Sequence, residues 1–557
     1  LKDGAIEGMF QGLEYSDSTD IQKQKNAFFR TVNERIKYFY TTELSAVDPT
    51  DETNIKLVDL TKLRLLFQAG FITAQRGLDD TTHQEKDVLG KILGNLFSVT
   101  QQDSASDGDK ENSRKLNQIV EEIQERVDTS FNEQLTQLLP VLSMFGYPGL
   151  ADPQLQTETT LDTQKLLDSH TKIRYMGTNS NSLPETYNGL GSRNLIYILF
   201  SLYEFFKSYQ ARQTAPGIHV IFIEEPEAHL HPQMQEVFIH QLSNIANEFS
   251  ERLNGGITWP VQFVVTTHST HMANKASFDT IRYFLRESAE IPNTIIKDLS
   301  AGFKGEDIEE DKEFLHKYLT LTRCDLFFAD KAILIEGPTE RMLMPKVIEK
   351  VDETLSDEAK LARQYLSVVE VGGAYAHHFF KFLDFLELKT LIITDLDTTK
   401  EITKNGKRCH SACKVSEGSR TSNECIKKWY EDRNTISLTE IMTATESDKK
   451  SGHRRIAYQI PEQTEAACGR SFEDSFMLAN PTLFQLTGNE AEKENQAWEK
   501  AGDVTKTDFA LKHAIQITDW NVPLYIKEGL VWLSSNIIRM PTNSEALENA
   551  ISEVQNA

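Results

Sequence analysis

The stretch HVIFIEEPEAHLHP, His219–Pro232, carries the strongest fold signal in the chain. Its first half is an apolar run of β-branched and aromatic residues that ends at two adjacent carboxylates, Glu224 and Glu225. Such a run predicts a buried strand, because strands inside an α/β sheet read as short and nearly continuous hydrophobic segments. Ligands of open α/β sheets bind outside the carboxyl ends of the strands. We therefore expect the two glutamates to lie at a ligand-binding edge.

Length, composition and charge limit the class of protein. With 557 residues, 39% of them hydrophobic and 25% charged, the chain is an ordinary globular protein of two or three domains. The net charge of -24 argues against general electrostatic adhesion to nucleic acid, although a local basic groove can coexist with an acidic remainder. No apolar run approaches the roughly 20 residues that span a bilayer. This predicts a soluble protein with no membrane partner.

The cysteines and the first residue bear on cellular location and completeness. Five cysteines form an odd and sparse set, which indicates reduced thiols and a cytoplasmic location rather than a disulfide framework. Three of them stand with a histidine at Cys409, His410, Cys413 and Cys425, but their spacing matches no strong zinc pattern. The chain starts at Leu1 rather than at a methionine, so we expect the native start to precede it.

The N-terminal part of the chain is expected to be mostly helical over residues 1 to about 100. The polar segment Val99–Ser113 is expected to be a loop or a disordered insertion. From Leu116 to Leu138, apolar residues recur at spacings of three and four, which predicts a long amphipathic helix before Pro140. We expect this helix to pack against its neighbours or to form an arm, and we assign residues 100–150 to a helical arm or dimerisation region.

Two α/β units follow this region. Strand-like and helix-like runs alternate over Thr186–Arg286, and a second α/β pattern begins at Asp330 and continues through Thr390–Asp397. The polar stretch Asp397–Cys425 is expected to be a long loop. We therefore predict an α/β protein with one domain at residues 1–325 and a second at residues 326–557.

The two glutamates after the first strand suit a nucleotide-hydrolysing site. Such chemistry needs one carboxylate near Mg²⁺ and a second that orients or deprotonates the attacking water. Glu224 would take the first role and Glu225 the second. The alternative is a buried strand that ends in a solvated acidic turn.

Two further segments bear on this hypothesis. Val261–Thr270 is another buried-type strand and contains His268 at its end, where a histidine is more often structural than catalytic. Gly189, Gly191 and Ser192 come directly before an apolar helix. Free N–H groups at a helix start form an anion site, although a glycine turn with a serine cap is the simpler alternative.

In this order the three segments resemble the nucleotide-binding domain of ABC-type ATPases, in the branch of the SMC and RecF-like proteins. The resemblance equates Gly189–Ser192 with the signature loop and Glu224 and Glu225 with the Walker B end. It equates His268 with the switch histidine that senses the γ-phosphate, and it implies ATP as a cofactor. Glu224 departs from the aspartate that is usual in this superfamily, which puts its role toward Mg²⁺ in doubt.

The phosphate-binding pattern G-x-x-x-x-G-K-[ST] of such ATPases is absent from the sequence. The Gly-Lys pairs at 90–91 and 406–407 lack both the upstream glycine and the following hydroxyl residue. Either these residues precede Leu1 in a longer protein, which we favour, or the chain is a degenerate ATPase that has lost hydrolysis.

A second group of carboxylates lies in the C-terminal α/β unit. Ala332–Glu340 reads as a buried strand that delivers Glu336, with Glu340 one turn into the next helix. Another strand delivers Asp395 and Asp397, which are two residues apart, so both side chains can face one side. Clustered carboxylates repel one another and are tolerated chiefly when cations neutralise them. Ordinary acidic turns after strands are the alternative.

The order strand-Glu-Gly, then Val368–Phe380, then strand-Asp-x-Asp resembles the TOPRIM fold. The resemblance implies that Mg²⁺ or Mn²⁺ binds the acidic cluster and that, in the nuclease branch, two metals flank the scissile phosphate. It further suggests Glu473 as a ligand and Lys506 as the cation that stabilises charge on the phosphate, although both also suit solvated helix faces. The implied ligands are Glu336, Glu340, Asp395, Asp397 and Glu473.

An ABC-type ATPase with a helical arm, followed by a TOPRIM domain with helical additions, resembles the OLD (overcoming lysogenisation defect) family of ATP-dependent endonucleases. The resemblance covers about Thr186 to the end of the chain. It implies metal-dependent hydrolysis of DNA that nucleotide regulates, in bacterial antiphage defence of the kind that Gabija and retron systems provide. It also implies a homodimer or homotetramer through the ATPase domains, and a possible companion defence protein or retron RNA or DNA.

Two expectations about DNA remain open at this point. The densest basic segment, Lys449–Arg455, is a candidate for binding substrate phosphates or else a flexible solvated loop. The alternative function is an SMC- or RecF-like ATPase that binds DNA or a partner structurally, with a TOPRIM domain that does not cut. The intact set of Glu336, Asp395 and Asp397 favours the nuclease.

Overall fold

The computed structural model describes most of the chain as two compact units. The described residues are 43–75, 88–102, 105–143, 160–170, 174–176, 182–184, 189–287, 293–303, 315, 325–404, 407–430 and 436–535. The first unit comprises residues up to His231 together with Gln241–Thr267, and the second comprises Pro232–His240 and residues from His268 onward. The predicted domain boundary between residues 325 and 326 stays a prediction.

The first unit is built around a three-stranded parallel sheet. The strands of the whole unit are β1 (Ser45–Asp48), β2 (Asp51–Leu57), β3 (Phe67–Ile72), β4 (Arg174–Met176), β5 (Ser182–Pro184), β6 (Ile218–Glu224) and β7 (Val261–Thr266). The parallel sheet has the order β3-β6-β7, and β1-β2 and β4-β5 are antiparallel pairs. The expected mostly helical character is wrong for the described residues 43–75, which form the β1-β2 pair, β3 and one short helix.

The helices of this part of the chain are α1 (Leu60–Leu66), α2 (Val88–Thr100), α3 (Asp107–Ser143), α4 (Thr163–His170), α5 (Leu190–Gln210) and α6 (Pro232–Leu253). Residues of α6 up to His240 belong to the second unit. Burial of Leu202 and Phe206 from α5 and of Ile221 and Ile223 from β6 forms the centre of the first unit. Alternate residues of β6 are buried, as expected for a strand with one face on a helix.

The long helix α3 confirms the periodic pattern and corrects the expected loop before it. The helix begins at Asp107, so most of the polar segment Val99–Ser113 is helical. The hydroxyl of Ser106 accepts a hydrogen bond from the backbone N–H of Asp109 at 3.2 Å and donates one to its carboxylate at 2.8 Å. A serine followed three residues later by an acidic residue favours a helix start, and this signal outweighs the low apolar content. The helix also continues through Pro140 to Ser143.

The second unit is built around a five-stranded sheet of order β11-β10-β12-β17-β16. The strands of the whole unit are β8 (Arg282–Glu287), β9 (Asn293–Asp298), β10 (Lys331–Ile335), β11 (Leu366–Glu370), β12 (Lys389–Ile393), β13 (Thr398–Lys404), β14 (Lys407–Ala412), β15 (Arg420–Thr421), β16 (Lys450–Ser451) and β17 (Arg454–Ala457). The four strands β11, β10, β12 and β17 are parallel, while β16 is antiparallel to β17.

The remaining helices belong to this second unit. They are α7 (Thr270–Lys275), α8 (Leu299–Gly302), α9 (Pro338–Asp352), α10 (Phe380–Leu386), α11 (Glu424–Trp429), α12 (Leu438–Met442), α13 (Phe472–Ala479), α14 (Glu490–Asp503), α15 (Lys506–Leu511) and α16 (Leu524–Ser534). The parallel sheet is covered on both faces. Leu334 and Ile392 enter one apolar cluster, while Ile333 and Leu391 enter the other. Burial on both faces explains the uninterrupted apolar runs of these strands.

The stretch Asp397–Cys425 is a small antiparallel sheet of order β14-β13-β15, not the long loop that its polar composition suggests. Lys404 pairs with Lys407, so Asn405 and Gly406 stand between the two longest strands. Asn-Gly between strand-forming residues is a strong signal for a two-residue hairpin turn. Because both faces of this hairpin carry polar side chains, the alternation of apolar and polar residues is weak and hides the strands.

Candidate functional site

The carboxylates of the second unit meet at one edge of the parallel sheet. Glu336 directly follows β10, and Asp395 and Asp397 follow β12. Strands β10 and β12 are neighbours with Leu334 opposite Ile392, and both run in the same direction. The carboxyl ends of parallel neighbours lie together, so the sheet brings these three residues to one edge, as the sequence predicts.

Three donors hold the side chain of Glu336. Its Oε1 accepts hydrogen bonds from the hydroxyl of Thr394, from the backbone N–H of Asp395 at 3.1 Å and from Nδ2 of Asn423 at 2.9 Å. Two of these donors belong to the segment after β12, so the ends of the two strands are joined through one carboxylate oxygen. This arrangement limits the positions that the Glu336 side chain can adopt.

Asp395 is half-buried between the other acids of the cluster. Its Oδ1 accepts a hydrogen bond of 2.6 Å from Nε2 of Gln459, whose own Oε1 accepts one of 2.6 Å from the backbone N–H of Leu396. Burial raises the pKa of Asp395 well above its ordinary value, and the nearby charges of Glu336, Glu340, Asp397 and Glu473 raise that pKa further. A neighbouring cation stabilises the ionised form of a carboxylate in such surroundings.

Glu340 lies in the first turn of α9 and is buried. Burial raises the pKa of Glu340 to about 7, with further contributions from the charges of Glu473 and Glu336. The helix start favours the ionised form through its dipole, but the loss of hydration outweighs that effect. The predicted position of Glu340 one turn into a helix is confirmed.

Glu473 and Lys506 come to the same cluster from separate helices. Oε1 of Glu473 lies 3.3 Å from Nζ of Lys506 and accepts a hydrogen bond of 3.3 Å from the hydroxyl of Thr339. Burial lowers the pKa of Lys506, but the charges of Glu473, Asp395 and Glu340 outweigh burial and raise this pKa above its ordinary value. The Glu473 side chain is almost fully buried, so Glu473 is not on the solvated helix face that was its alternative, whereas the Lys506 side chain is 65% exposed and reaches Glu473 from the surface.

Asp397 is held by a cation that the sequence analysis did not consider. Its carboxylate lies 2.6 Å from a guanidinium nitrogen of Arg470, and its backbone N–H donates to the Arg470 carbonyl at 3.2 Å. Asp397 has a left-handed backbone with φ of 47°. Burial raises the pKa of Asp397, against the opposing charges of Arg470 and Lys506. This pairing therefore favours the ionised form of a partly buried acid.

Sequence reasoning missed the polar residues that surround the acids. Asn423, Gln459 and Arg470 each contact a different member of the cluster and lie on three different segments. Arg470 stands three residues before Glu473, which was the only signal available for it. Asn423 and Gln459 stand among ordinary polar residues, so composition and periodicity carry no indication of their contacts.

The donor set suits a hard divalent cation in its chemistry, because Mg²⁺ and Mn²⁺ prefer carboxylate oxygens. Such an ion would offset the mutual repulsion of the carboxylates and would favour the ionised forms of Asp395 and Glu340, whose pKa values are raised. Over the described ranges, no three His, Cys, Asp or Glu side chains stand close enough together to hold a metal ion as they are oriented. Oxygens of Asp395 and Asp397 are instead taken by Gln459 and Arg470, so binding an ion there requires some side chains to turn.

The carboxyl edge of the parallel sheet in the first unit carries the two predicted glutamates, Glu224 and Glu225. Glu224 ends β6, and its Oε2 accepts a hydrogen bond of 3.1 Å from the backbone N–H of Ala74, just beyond β3. Glu225 has a left-handed backbone with φ of 40°, and its N–H donates to the Thr266 carbonyl at 3.0 Å. The two glutamates thus stand at the end of the central strand, as predicted. His268 follows the end of β7 by two residues and is exposed.

The start of α5 packs against the turn that follows these glutamates. Gly189 is the N-cap residue of α5, and Ser192 is exposed in its first turn. A Cβ atom on Gly191 would lie only 2.6 Å from the carbonyl oxygen of His229, so this close approach requires glycine. Nδ2 of the buried Asn194, another residue that the sequence did not reveal, donates to the carbonyls of Pro226 at 3.1 Å and Ala228 at 2.8 Å.

The basic segment Lys449–Arg455 does not form the expected phosphate-binding surface. Arg454 makes two hydrogen bonds to Asp384, at 2.6 and 2.8 Å, and Arg455 is almost fully buried beside Glu446. Both arginines start β17, at the opposite edge of the sheet from the acidic cluster. The prediction is therefore wrong for these arginines, because their charges are neutralised within the fold.

The cysteines offer little support for zinc. Cys409, Cys413 and Cys425 are free thiols, and Cys425 lies inside an apolar cluster. Burial raises the pKa of the Cys425 thiol far above its ordinary value. Zinc binds the thiolate, which burial in apolar surroundings disfavours.

Comparison with known proteins gives two domain matches. Residues 11–273 match the AAA ATPase domain family, and residues 327–397 match the TOPRIM domain of proteins like the overcoming lysogenization defect protein. These two domain types use ATP and a divalent metal ion in general. No helix among the residues described is long and apolar enough to cross a membrane.

Three relatives share sequence with the chain. Endonuclease GajA of Bacillus cereus strain HuB5-5 is 27% identical over an alignment that covers 94% of this chain and 76% of that protein. Endonuclease GajA of Bacillus cereus strain VD045 is 27% identical over 42% of this chain and 35% of its own length. OLD nuclease of Thermus scotoductus is 23% identical over 51% of this chain and 49% of its own length. The chain thus spans about three quarters of one relative and half or less of the other two.

Proposed function

We propose that this chain, which belongs to the OLD family of proteins that join an ATPase domain to a TOPRIM domain, is a metal-dependent DNA endonuclease of bacterial antiphage defence. The observation that carries the proposal is the buried acidic cluster at the carboxyl edge of the second sheet. Glu336, Asp395 and Asp397 lie there together, and Lys506 forms an ion pair with Glu473 beside them.

The proposed chemistry is hydrolysis of a DNA phosphodiester. Mg²⁺ or Mn²⁺ would polarise the phosphate oxygens and supply a nucleophilic water at neutral pH. Glu336, Glu340, Asp395, Asp397 and Glu473 would hold the ion or ions, since they supply the oxygen donors that these cations prefer. Lys506, whose ammonium group is kept charged by the surrounding carboxylates, would stabilise negative charge that develops on the phosphate.

The ATPase half-site is proposed to regulate the cut rather than to perform it. Gly189, Gly191 and Ser192 would contact nucleotide phosphate at the helix start, and His268 would sense the terminal phosphate. Glu224 would lie near Mg²⁺, and Glu225 would orient the attacking water. The hydrogen bond from the Ala74 N–H to Glu224 at the end of β6 and the close packing at Gly191 support this proposal.

Self-association through the ATPase domain is the proposed assembly, as a homodimer or homotetramer. Helix α3 is 37 residues long and exposes large apolar side chains along one stripe, with Ile119 52%, Ile123 47% and Phe131 52% exposed. Exposed apolar stripes of this kind are typical of helix pairing surfaces. Ile123→Glu should lower the molar mass measured by light scattering, whereas Glu122→Gln, on the neighbouring surface, should leave it unchanged.

Other partners and the location follow from the same function. DNA is the proposed substrate, and the cytoplasm is the proposed compartment because DNA and ATP are both available there. A companion defence protein, or the RNA and DNA of a retron, is the proposed source of the activating signal.

The test is a plasmid cleavage assay with Mg²⁺ or Mn²⁺, with and without ATP. We expect cutting by the chain and none by the Asp395→Ala/Asp397→Ala double variant. The surface double variant Asp357→Ala/Glu358→Ala removes the same charge from an exposed loop and should cut normally. Equal cutting by the two double variants would refute the assignment of the site. DNA binding without cutting, in every metal and with ATP, would instead favour the structural ATPase.

A further inference from the structure

A short segment at the end of β15 fastens the backbone that carries the two aspartates. The hydroxyl of Thr421 donates to the Leu396 carbonyl at 2.6 Å, and the backbone N–H of Ser422 donates to the Asp397 carbonyl at 3.0 Å. Nδ2 of Asn423 donates to the Asp395 carbonyl at 2.9 Å. Three consecutive residues thus contact three consecutive carbonyls, and the antiparallel sheet inserted after β12 returns to the acidic cluster through them.

Asn423 uses the two ends of its amide for two different purposes. Its Oδ1 caps α11, accepting hydrogen bonds from the backbone N–H groups of Cys425 at 2.9 Å and Ile426 at 3.3 Å. Its Nδ2 donates to Oε1 of Glu336 at 2.9 Å and contacts the Thr394 hydroxyl at 2.8 Å. The side chain is 1% exposed. A cap alone needs only the oxygen, so the nitrogen contacts are additional.

The contacts leave one oxygen of Glu336 available. Every hydrogen bond that the described residues make to this carboxylate falls on Oε1. The side chain is therefore held by one oxygen at a fixed orientation, with Oε2 directed elsewhere. Groups that orient a metal-binding carboxylate through its second oxygen raise the affinity of the site without touching the ion.

We infer that Asn423 is a positioning residue for Glu336, which it orients so that Oε2 of Glu336 can bind a divalent cation. The expected effect on cleavage rests on the proposed nuclease function. Asn423 itself would touch neither metal nor DNA. Its role is to couple the inserted sheet and α11 to the ends of β10 and β12. Loss of the amide nitrogen should loosen Glu336 and lower the affinity for the cation.

The test separates positioning from capping with two variants and their matched controls. Asn423→Ser keeps a good N-cap residue but is too short to reach Glu336, while Asn423→Asp keeps the cap and replaces the donor by an acceptor. Asn489 caps α14 by the same geometry, with its Oδ1 accepting from the Glu492 N–H at 3.0 Å on an exposed surface. Asn489→Ser and Asn489→Asp therefore make the same chemical changes at a cap that supports no site.

The readouts are Mn²⁺ binding, followed by electron paramagnetic resonance, and the cleavage kinetics of the same variants. The Asp395→Ala/Asp397→Ala variant lacks two of the proposed ligands, so the Mn²⁺ that it still binds measures binding elsewhere in the chain. We expect both Asn423 variants to weaken Mn²⁺ binding at the acidic cluster and to lower kcat by about 10- to 100-fold, as the loss of supporting hydrogen bonds at metal sites does. KM for DNA should stay unchanged, and the Tm should fall further than in the Asn489 variants because Asn423 is buried, so Mn²⁺ affinity and kcat, measured well below the Tm, carry the test.

Mn²⁺ affinity and kcat equal to those of the unchanged chain would show that Asn423 is only a cap. A chain that binds Mn²⁺ at the cluster but never cuts would remove the proposed nuclease function, while the Mn²⁺ comparison would still decide the role of Asn423. If the unchanged chain and the Asp395→Ala/Asp397→Ala variant bind Mn²⁺ alike, the cluster holds no cation and the inference is overturned as well.

Discussion

The carboxyl edges of the two parallel sheets look alike in sequence but differ in their surroundings. After β6, Glu224 is exposed, and its Oε2 accepts a hydrogen bond of 3.1 Å from the backbone N–H of Ala74. After β12, Asp395 is half-buried with four other acids near it, and it accepts a hydrogen bond from a glutamine side chain. A strand that ends in acidic residues therefore marks a ligand edge in both sheets. What the edge does depends on the neighbours that the fold brings to it.

The sharpest test of this comparison makes the same kind of change at both edges. Asp395→Asn should lower the cleavage rate by about 1000-fold, more than the cost of a lost supporting group, because a metal ligand is removed from a buried site. Glu225→Gln should leave cleavage without ATP within a few-fold of normal and abolish the effect of ATP. Plasmid cleavage rates with and without ATP measure both. Equal losses from the two variants would mean that the edges act as one site.

The second test concerns the cation of the acidic cluster. Lys506→Gln should lower kcat by about 100-fold, because the ammonium group next to Glu473 is lost from the place where phosphate charge develops. Lys500→Gln, an exposed lysine on α14, is the control and should have no effect. Single-turnover cleavage at saturating Mg²⁺ separates this loss from weaker metal binding. A Lys506→Gln variant whose rate recovers fully with more metal would place Lys506 in metal binding instead.

The third test uses the raised pKa of Glu340, which lies near 7 in the folded chain against an ordinary value of 4.5. The folded state then binds more protons than the unfolded state between these two values, so stability falls as the pH rises from about 4.5 to 7. Without metal, we expect Tm to fall over this window, and to fall less in Glu340→Gln. Thermal unfolding in a chelating buffer measures both. A divalent cation favours the ionised carboxylate and should restore the lost stability near pH 7 and above.

The smallest expected effect lies at the ATPase edge. Asn194→Ala removes two hydrogen bonds to the carbonyls of Pro226 and Ala228 and should cost about 1–3 kcal/mol, because these groups become unsatisfied in a buried place. Chemical denaturation followed by circular dichroism measures the loss. Asn244→Ala, whose amide bonds an exposed glutamine on α6, is the control and should change stability little. A large fall in cleavage without ATP would contradict the separation of the two edges.

Predictions from the sequence succeeded where the local pattern is strong and failed where it is weak. The apolar runs before Glu336 and Asp395 predicted two buried strands, because burial on both faces removes any polar alternation. The run before Glu224 also predicted a strand, although only alternate residues of β6 are buried. The hairpin β13-β14 was missed because its faces are polar, and the start of α3 because its first turns are acidic. The basic run ending in Arg454 and Arg455 was misread because charge in a sequence does not reveal which acids will neutralise it.

By itself, the sequence determined the order of strands and acids, and hence which residues stand at the two ligand edges. A strand followed by an acid is a local feature that survives in any α/β sheet. The tertiary structure alone decided that Glu473 and Lys506 join Asp395, that Arg470 pairs with Asp397, and that Asn423 holds Glu336. These contacts join residues far apart in the chain, and burial gives them their strength. Neither the contacts nor the burial can be read from a linear pattern, because both depend on which groups the folded chain places within a few ångströms of one another.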